Sequence, residues 1–388
     1  LPIVAGLGSA LYMETNGHWV TGMTNQVVWG MPHVFAIFLI VAASGALNIA
    51  SIGSVFGKTM YKPLAPLSGL LAIALLVGGL CVLVLDLGRP DRLISVAMVK
   101  YNFKSIFAWN IILYMGFMAI VATYLWTMMD RSMKKYSHKV GVFAFVWRLV
   151  LTTGTGSIFG FLLSRSAYSS AVMAPMFIVM SFAFGLAFFL LVLMFTYNAT
   201  KRPLGDAVVM RLKNLLGVFI AGVLYFVLAF HLTNLYWAKQ HGVEAFILMN
   251  GGIYTQLFWI VQIGLGSLLP LALLYGPTGK SRASIATASV LVILGGLAQV
   301  YVIVIGGQAY PIDIYPGYEV ISSSFFDGQV NAYNPTLPEF LLGLSGFAIA
   351  LVATAIAVKV LRFLPESLGD EAVTTEEQEE AEAAKAHA

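Results

Sequence analysis

Few residues in this chain could do chemistry, and they stand out because their surroundings are apolar. Asp86 ends the run LLAIALLVGGLCVLVL and precedes the turn Leu87-Gly88-Arg89-Pro90. It reads as the one acid at hydrocarbon depth, where a charge is costly and marks a functional site by default. His33 lies just inside the start of another apolar run, in WGMPHVF; Lys104 and Trp109 open a later run, and Arg165 closes the next. Together they bring a carboxylate, an imidazole and basic groups towards one pocket. That set suits a quinone, whose two carbonyls need donors and whose redox chemistry moves two protons with two electrons. A buried carboxylate can take or give those protons, and apolar walls can hold the ring and tail. In this reading Asp86 is the proton acceptor or donor, His33 a carbonyl ligand, Arg89 the group that tunes Asp86, and Trp109 a pocket wall. The plainer reading of Asp86 and Arg89 is an ion pair that stabilises a helix end.

Other polar residues read as accessories. His18 and Asn16, in METNGHWVTG, lie in the loop nearest the same pocket and could relay a proton. Arg148 sits in FVWRLVLTTGTGS, and with Thr152 and Thr155 it makes that run unusually polar. The sharper reading is a hydrated proton path; the plainer one is an arginine reaching for the interface. TGTGS lacks the lysine and the preceding strand of a phosphate-binding loop. His231, Asn234, Gln262 and Gln299 in the second half read as interhelical hydrogen-bonding residues. The single cysteine, Cys81, is too few for an iron–sulfur cluster or a structural zinc. Haem b wants histidines at matched depth on two helices, whereas His33 and His231 fall in different halves.

The elements that position these residues are membrane helices. The chain is 59% hydrophobic and 10% charged with a mean hydropathy of +0.85, against about 25% charged residues in soluble domains. Its apolar runs do not alternate with period two, which excludes a barrel. The first run, Leu1 to about Met13, is too short to span and reads as the end of a helix. Nine more runs, Trp29–Phe56, Leu64–Leu85, Ile106–Met129, Val140–Leu163, Ala171–Tyr197, Leu215–Trp237, Leu257–Tyr275, Ile285–Ile305 and Phe340–Leu361, are each long enough to cross a bilayer core of about 30 Å. Alternate connections carry 14 of the 22 Lys and Arg residues, such as Arg131, Lys134, Lys135 and Lys139 between the fourth and fifth runs. The positive-inside rule assigns that set, and both termini, to the cytoplasm. Asp86, His33 and the loop 307–339 then face outward. That loop carries Tyr310, Tyr315, Tyr318, Phe325 and Phe326, which suit a docking surface. The stretch from Glu366 to Ala388 holds eight of the eighteen acids and reads as a solvated acidic tail.

A weak internal repeat supports two bundles. Asp86 is followed 23 residues on by Trp109, and His231 is followed 28 residues on by Trp259. The expected architecture is therefore an all-α polytopic membrane protein of about ten transmembrane helices, in two four-helix bundles with flanking helices. Its divisions fall at 1–28, 29–170 with the quinone site, 171–306, 307–364 and 365–388.

The stretches PHVFAIFLIVAASGALNIASI, KPLAPLSGLLAIALLVGGLCVLVLDLGRPDRL and NFKSIFAWNIILY resemble the NrfD, or polysulfide-reductase, membrane-subunit family. RLVLTTGTGSIFGF, HLTNLY and GGQAYPIDIYPG extend the likeness over nearly the whole chain, and within the family it is nearest the DsrP branch of sulfur-metabolising prokaryotes. The resemblance implies a quinone site at the outer side of the first bundle, with menaquinone or ubiquinone as substrate and no haem or iron–sulfur cluster bound by this chain. It implies a ferredoxin-like iron–sulfur partner on the outer face. A multihaem cytochrome c, a haem b membrane subunit and a cytoplasmic iron–sulfur subunit would complete the complex, in the cytoplasmic membrane. The family's polar residue before LGRP falls on Asp86. Its polar residue near the start of the second helix falls within a turn of His33. Beyond lipids, no nucleic-acid partner is expected. The rival readings are the anchor of a polysulfide- or tetrathionate-type reductase, and, in another class, a secondary transporter with helices broken at midplane.

Overall fold

In hydrocarbon every backbone polar group must be satisfied internally, so apolar runs of this length have one solution, the helix. The computed structural model describes residues 1–93, 95, 98–312, 328–361 and 364–370. A short first helix, α1 (Pro2–Asn16), precedes nine helices long and apolar enough to cross a membrane among the described residues. These are α2 (Met31–Ser54), α3 (Met60–Leu85), α4 (Ile106–Met129), α5 (Lys134–Gly160), α6 (Met173–Thr200), α7 (Asp206–Tyr236), α8 (Ile253–Tyr275), α9 (Arg282–Ala309) and α10 (Leu337–Val360). The chain is thus an all-α, multi-pass integral membrane protein. The one strand-like feature among the described residues is an isolated bridge, Leu204 to Leu368. Helix α7 starts nine residues before the apolar run does. Its extra turns carry Asp206 in the first turn, where a carboxylate complements the helix N-terminus.

Helices α2 to α5 pack as a ring, α2 on α3, α3 on α4, α4 on α5 and α5 back on α2, and α6 to α9 close a second ring in the same way. Helices α2 and α6 form the seam. Their most apolar windows are 89% and 78% buried, whereas that of α4 is only 28% buried and faces outward. The seam is tight because two glycines meet in it: a Cβ on Gly45 would fall on the Ser181 carbonyl, and one on Gly185 would strike Gly45. Helix α10 packs on α2 and α3, and α1 packs on α10.

The α2 N-terminal end is tied down by one residue. Glu339, fully buried, closes a capping box with Thr336 at the start of α10 and also accepts from Gly22 N–H and the Tyr333 hydroxyl. Tyr333 Oη in turn accepts from Met31 N–H, 2.6 Å away. Burial, then the Glu339 carboxylate, push the Tyr333 phenol well above its ordinary range, so it stays a neutral bridge. Of the aromatics expected to form a docking surface, Tyr310 packs against Phe246, while Tyr315, Tyr318, Phe325 and Phe326 lie outside the described residues, as does the acidic stretch 371–388.

Candidate functional site

Helices α2 and α3 run antiparallel, so the first turn of one meets the last turn of the other. Pro32 sits in the first turn of α2, where its missing N–H costs nothing, and His33 follows it. Asp86 caps the C-terminal end of α3. Gly88, at φ +69°, then turns the chain in a conformation that a side chain would strain. His33 Nδ1 and Asp86 Oδ2 stand 2.7 Å apart, with side chains 14% and 0% exposed. No donor among the described residues is aligned for a hydrogen bond on either Asp86 oxygen. A buried carboxylate left this thinly solvated depends on its one close imidazole. The His18 ring lies over the same turn, 3.2 Å from where a Gly88 Cβ would be, and its Nε2 is buried without a partner.

In front of His33 lies a cavity of about 330 Å³ between α2, α3, α4 and α5. Its walls are apolar, among them Ile37, Leu83 and Phe107, and its polar atoms are few. His33 is on the wall; Asp86 is behind it. Asn110 spends its amide N–H groups on the Ile106 and Gly154 carbonyls, which leaves Oδ1 as a buried acceptor with no donor among the described residues. Tyr114 Oη lies 3.4 Å from Thr155 Oγ1. Trp29 lies nearly parallel to the His33 ring at 6.5 Å and is held from the other bundle. Gln308 of α9 accepts from Val28 and Trp29 N–H and donates to the Trp29 carbonyl. Arg165 fastens that clamp by donating to the carbonyls of Gln308 and Gln26, and its partial burial holds the guanidinium below its ordinary range.

Several residues expected in this pocket stand elsewhere. Arg89 points to solvent and pairs with Asp91 at 3.0 Å rather than with Asp86; that bond holds the Asp91 carboxyl below the usual carboxylate range. Trp109 is half-exposed and donates to the Phe103 carbonyl, so the wall it was expected to form belongs to Trp29 and Phe107. Lys104 is exposed beyond the end of α4. Asn16 is exposed and donates to its own helix at Tyr12. Arg148, Thr152 and Thr155 are buried together. Thr152 Oγ1 donates to Ser44 Oγ at 2.6 Å, and Arg148 Nη1 reaches the Ser44 carbonyl at 3.4 Å. The guanidinium stands over the Phe145 and Phe182 rings, and its Nε has no partner among the described residues. An interfacial arginine would be exposed, so this one is not snorkelling.

Asp86 is not alone among acids in being buried. Glu244, 1% exposed, pairs with His231 at 2.6 Å and accepts from Asn234 Nδ2 at 2.8 Å. His231 and Asn234 do bond a polar partner, as expected of the second half, but that partner is an acid that nothing in its sequence context singles out.

A family model described as "Polysulphide reductase, NrfD" matches residues 19–312. The chain is 27% identical over 376 residues to an Hdr-like menaquinol oxidoreductase integral membrane subunit of Archaeoglobus fulgidus, covering 96% of this chain and 94% of that one. It is 27% identical to a putative dimethyl sulfoxide reductase membrane subunit of Halobacterium salinarum, covering 94% and 89%. It is 24% identical to a selenate reductase subunit of Mesobacillus selenatarsenatis, covering 91% and 90%. The chain belongs to the polysulphide reductase NrfD family.

Proposed function

We propose that this NrfD-family chain is the quinone-reactive membrane subunit of a multi-subunit oxidoreductase, and that the cavity before His33 takes the quinone headgroup. The carrying observation is the pairing of a large apolar cavity with one imidazole on its wall, backed by a buried, otherwise unsolvated carboxylate. A ring and isoprenoid tail need apolar walls, and only a few polar groups are required to orient them. Quinol would present a hydroxyl to the His33 nitrogen that is not turned to Asp86. The quinol O–H bond breaks as that N–H forms, and the Nδ1 proton passes to Asp86 Oδ2. The second hydroxyl would be held by a hydrogen bond to Asn110 Oδ1 and, as its O–H bond breaks, give its proton to the polar thread that begins at Tyr114 and Thr155. Two electrons leave for a redox partner on this face, a ferredoxin-like iron–sulfur or cytochrome protein. Asp86 thus acts through His33 rather than by touching the quinone.

The thread from Tyr114 through Thr155 and Thr152 to Ser44 and Arg148 is the proposed proton path out of the cavity. The charge asymmetry of the connections supports a cytoplasmic membrane location with both termini inside. Menaquinone is the favoured quinone because the Archaeoglobus fulgidus relative carries menaquinol in its name. The likeness to the DsrP branch supports a place in dissimilatory sulfur metabolism. The reductase-anchor reading draws on the dimethyl sulfoxide and selenate reductase relatives, and the catalytic protein that copurifies decides between them.

The test is quinol-linked electron transfer in the purified complex. Asp86→Asn is expected to abolish it with assembly intact; unchanged turnover would remove Asp86 from the mechanism.

A further inference from the structure

Three π-helical stretches of the second half, Phe246–Asn250, Leu257–Leu268 within α8 and Val302–Gly306 within α9, converge on one place. Each lines a small cavity in the second bundle, through Ile247, Gln262 and Val302 respectively. π-Helix is rare, is mostly confined to single turns and clusters at functional sites. A twelve-residue run of it beside a buried glutamine calls for an explanation beyond packing.

Two cavities stack along the bundle axis. The outer, of about 30 Å³, is lined by His231, Gln262 and Gln299. The inner, of about 10 Å³, is lined by Gln262, Gln299 and Ser267. Helix α6 gives Met176 to the first and Ala183 to the second, and α7 gives Val227 and then Ile220. Each step is two helical turns, about 10 Å deeper. A water needs roughly 10–15 Å³ of such space and two to four polar partners, so the outer cavity holds about two waters and the inner about one. Gln299 is 3% exposed and its Nε2 has no partner among the described residues; water is the partner the space allows. At the mouth, His231 Nδ1 is committed to Glu244, which leaves the other ring nitrogen for the chamber.

We propose that the second bundle holds a second proton-handling site: a short water file from the His231–Glu244 pair towards the middle of the membrane at Gln262, Gln299 and Ser267. When a proton arrives on the free ring nitrogen of His231, its Nδ1–H bond breaks and the Glu244 Oε2–H bond forms. One proton enters, one leaves, and no electron moves. The ionisable groups that meet Glu244 and its segment are His231 of α7, Lys239 and His241 on the segment itself, Tyr254 of α8, which packs on Phe246, and Tyr310, which packs on Phe246 and lies against Gly242. This second site is independent of what the first cavity binds.

Infrared difference spectroscopy of the purified chain, stepped in pH and transferred to D₂O, tests it without any activity assay. The protonated-carboxyl band that disappears in Glu244→Gln, and persists in Asp86→Asn, is expected to shift in D₂O within seconds. Gln299→Leu, which is nearly isosteric and removes the amide that the water would bond, is expected to slow that shift about tenfold or more, the equivalent of one lost hydrogen-bonded water. Gln262→Met provides the same test should Gln299→Leu misfold. A Glu244 band that never appears, one that does not exchange in the wild type, or exchange unaffected by either amide-removing variant would overturn the proposal.

Discussion

Among the described residues two histidine–carboxylate pairs lie on the same face, one per bundle, and they differ in what else touches the carboxylate. Glu244 has an imidazole on one oxygen and the Asn234 amide on the other. Asp86 has the His33 imidazole at 2.7 Å and no aligned donor on either oxygen. Beside His231, the partner of Glu244, the space admits about two waters; before His33 it reaches about 330 Å³. A buried pair whose oxygens are both bonded is held in place, whereas an under-satisfied one can take up a new partner. The contrast supports substrate chemistry in the first bundle and proton transfer through water in the second.

Exchanging each carboxylate for its amide separates the two pairs most strongly. Asp86→Asn is expected to reduce quinol-linked turnover at least ~100-fold, the scale of one acid–base group, while leaving the melting temperature nearly unchanged. Glu244→Gln is expected to cost about 3 kcal/mol of stability, the scale of a buried pair with one partner removed. That loss would be seen as a lower melting temperature in detergent, with turnover far less affected than in Asp86→Asn. Identical profiles for the two variants would erase the distinction.

Gln308→Ala probes how one bundle supports the other. It leaves the Val28 and Trp29 amides without their acceptor, and each such buried group costs about 1–3 kcal/mol. Trp29 loses its clamp, so the KM for quinol is expected to rise about tenfold, with a smaller change in kcat. Asn110→Leu removes the Oδ1 acceptor from the cavity and is expected to weaken quinol affinity about tenfold, about 1.4 kcal/mol, measured by titration of the purified chain. The smallest effect is expected from Arg89→Gln. Arg89 pairs with Asp91 in solvent, where an ion pair adds little, so turnover should stay within about twofold.

Asp86 is legible in the sequence because a charge after sixteen apolar residues has no bland explanation, and the helices follow from the same hydrophobicity. Rotation and folding-back are hidden. Helix α4 is apolar on every side, so nothing in its pattern says that Asn110 faces the cavity while its neighbour Trp109 faces out; one residue is about 100° of helix. Arg89 and Asp91 are two residues apart across a turn, and turn geometry, not spacing, decides that they meet. Glu244 stands in KQHGVEAF, which reads as an ordinary polar loop. Its burial arises because that segment folds back as a short helix into the mouth of the second bundle. Trp29 and Trp109 are equal candidates for a pocket wall by type; the 279-residue reach of Gln308 to Trp29 is a tertiary fact that no local pattern encodes.

If quinone is bound by the first bundle at His33, a photoreactive naphthoquinone will mark the walls around it. Cross-linked to the purified complex and mapped by mass spectrometry, the label is expected on peptides carrying Ile37, Leu83 and Phe107. It should be lost in a cavity-filling Leu83→Trp variant and competed away by unlabelled menaquinone. Label concentrated on α7 to α9, or undiminished in the filled cavity, would contradict the account.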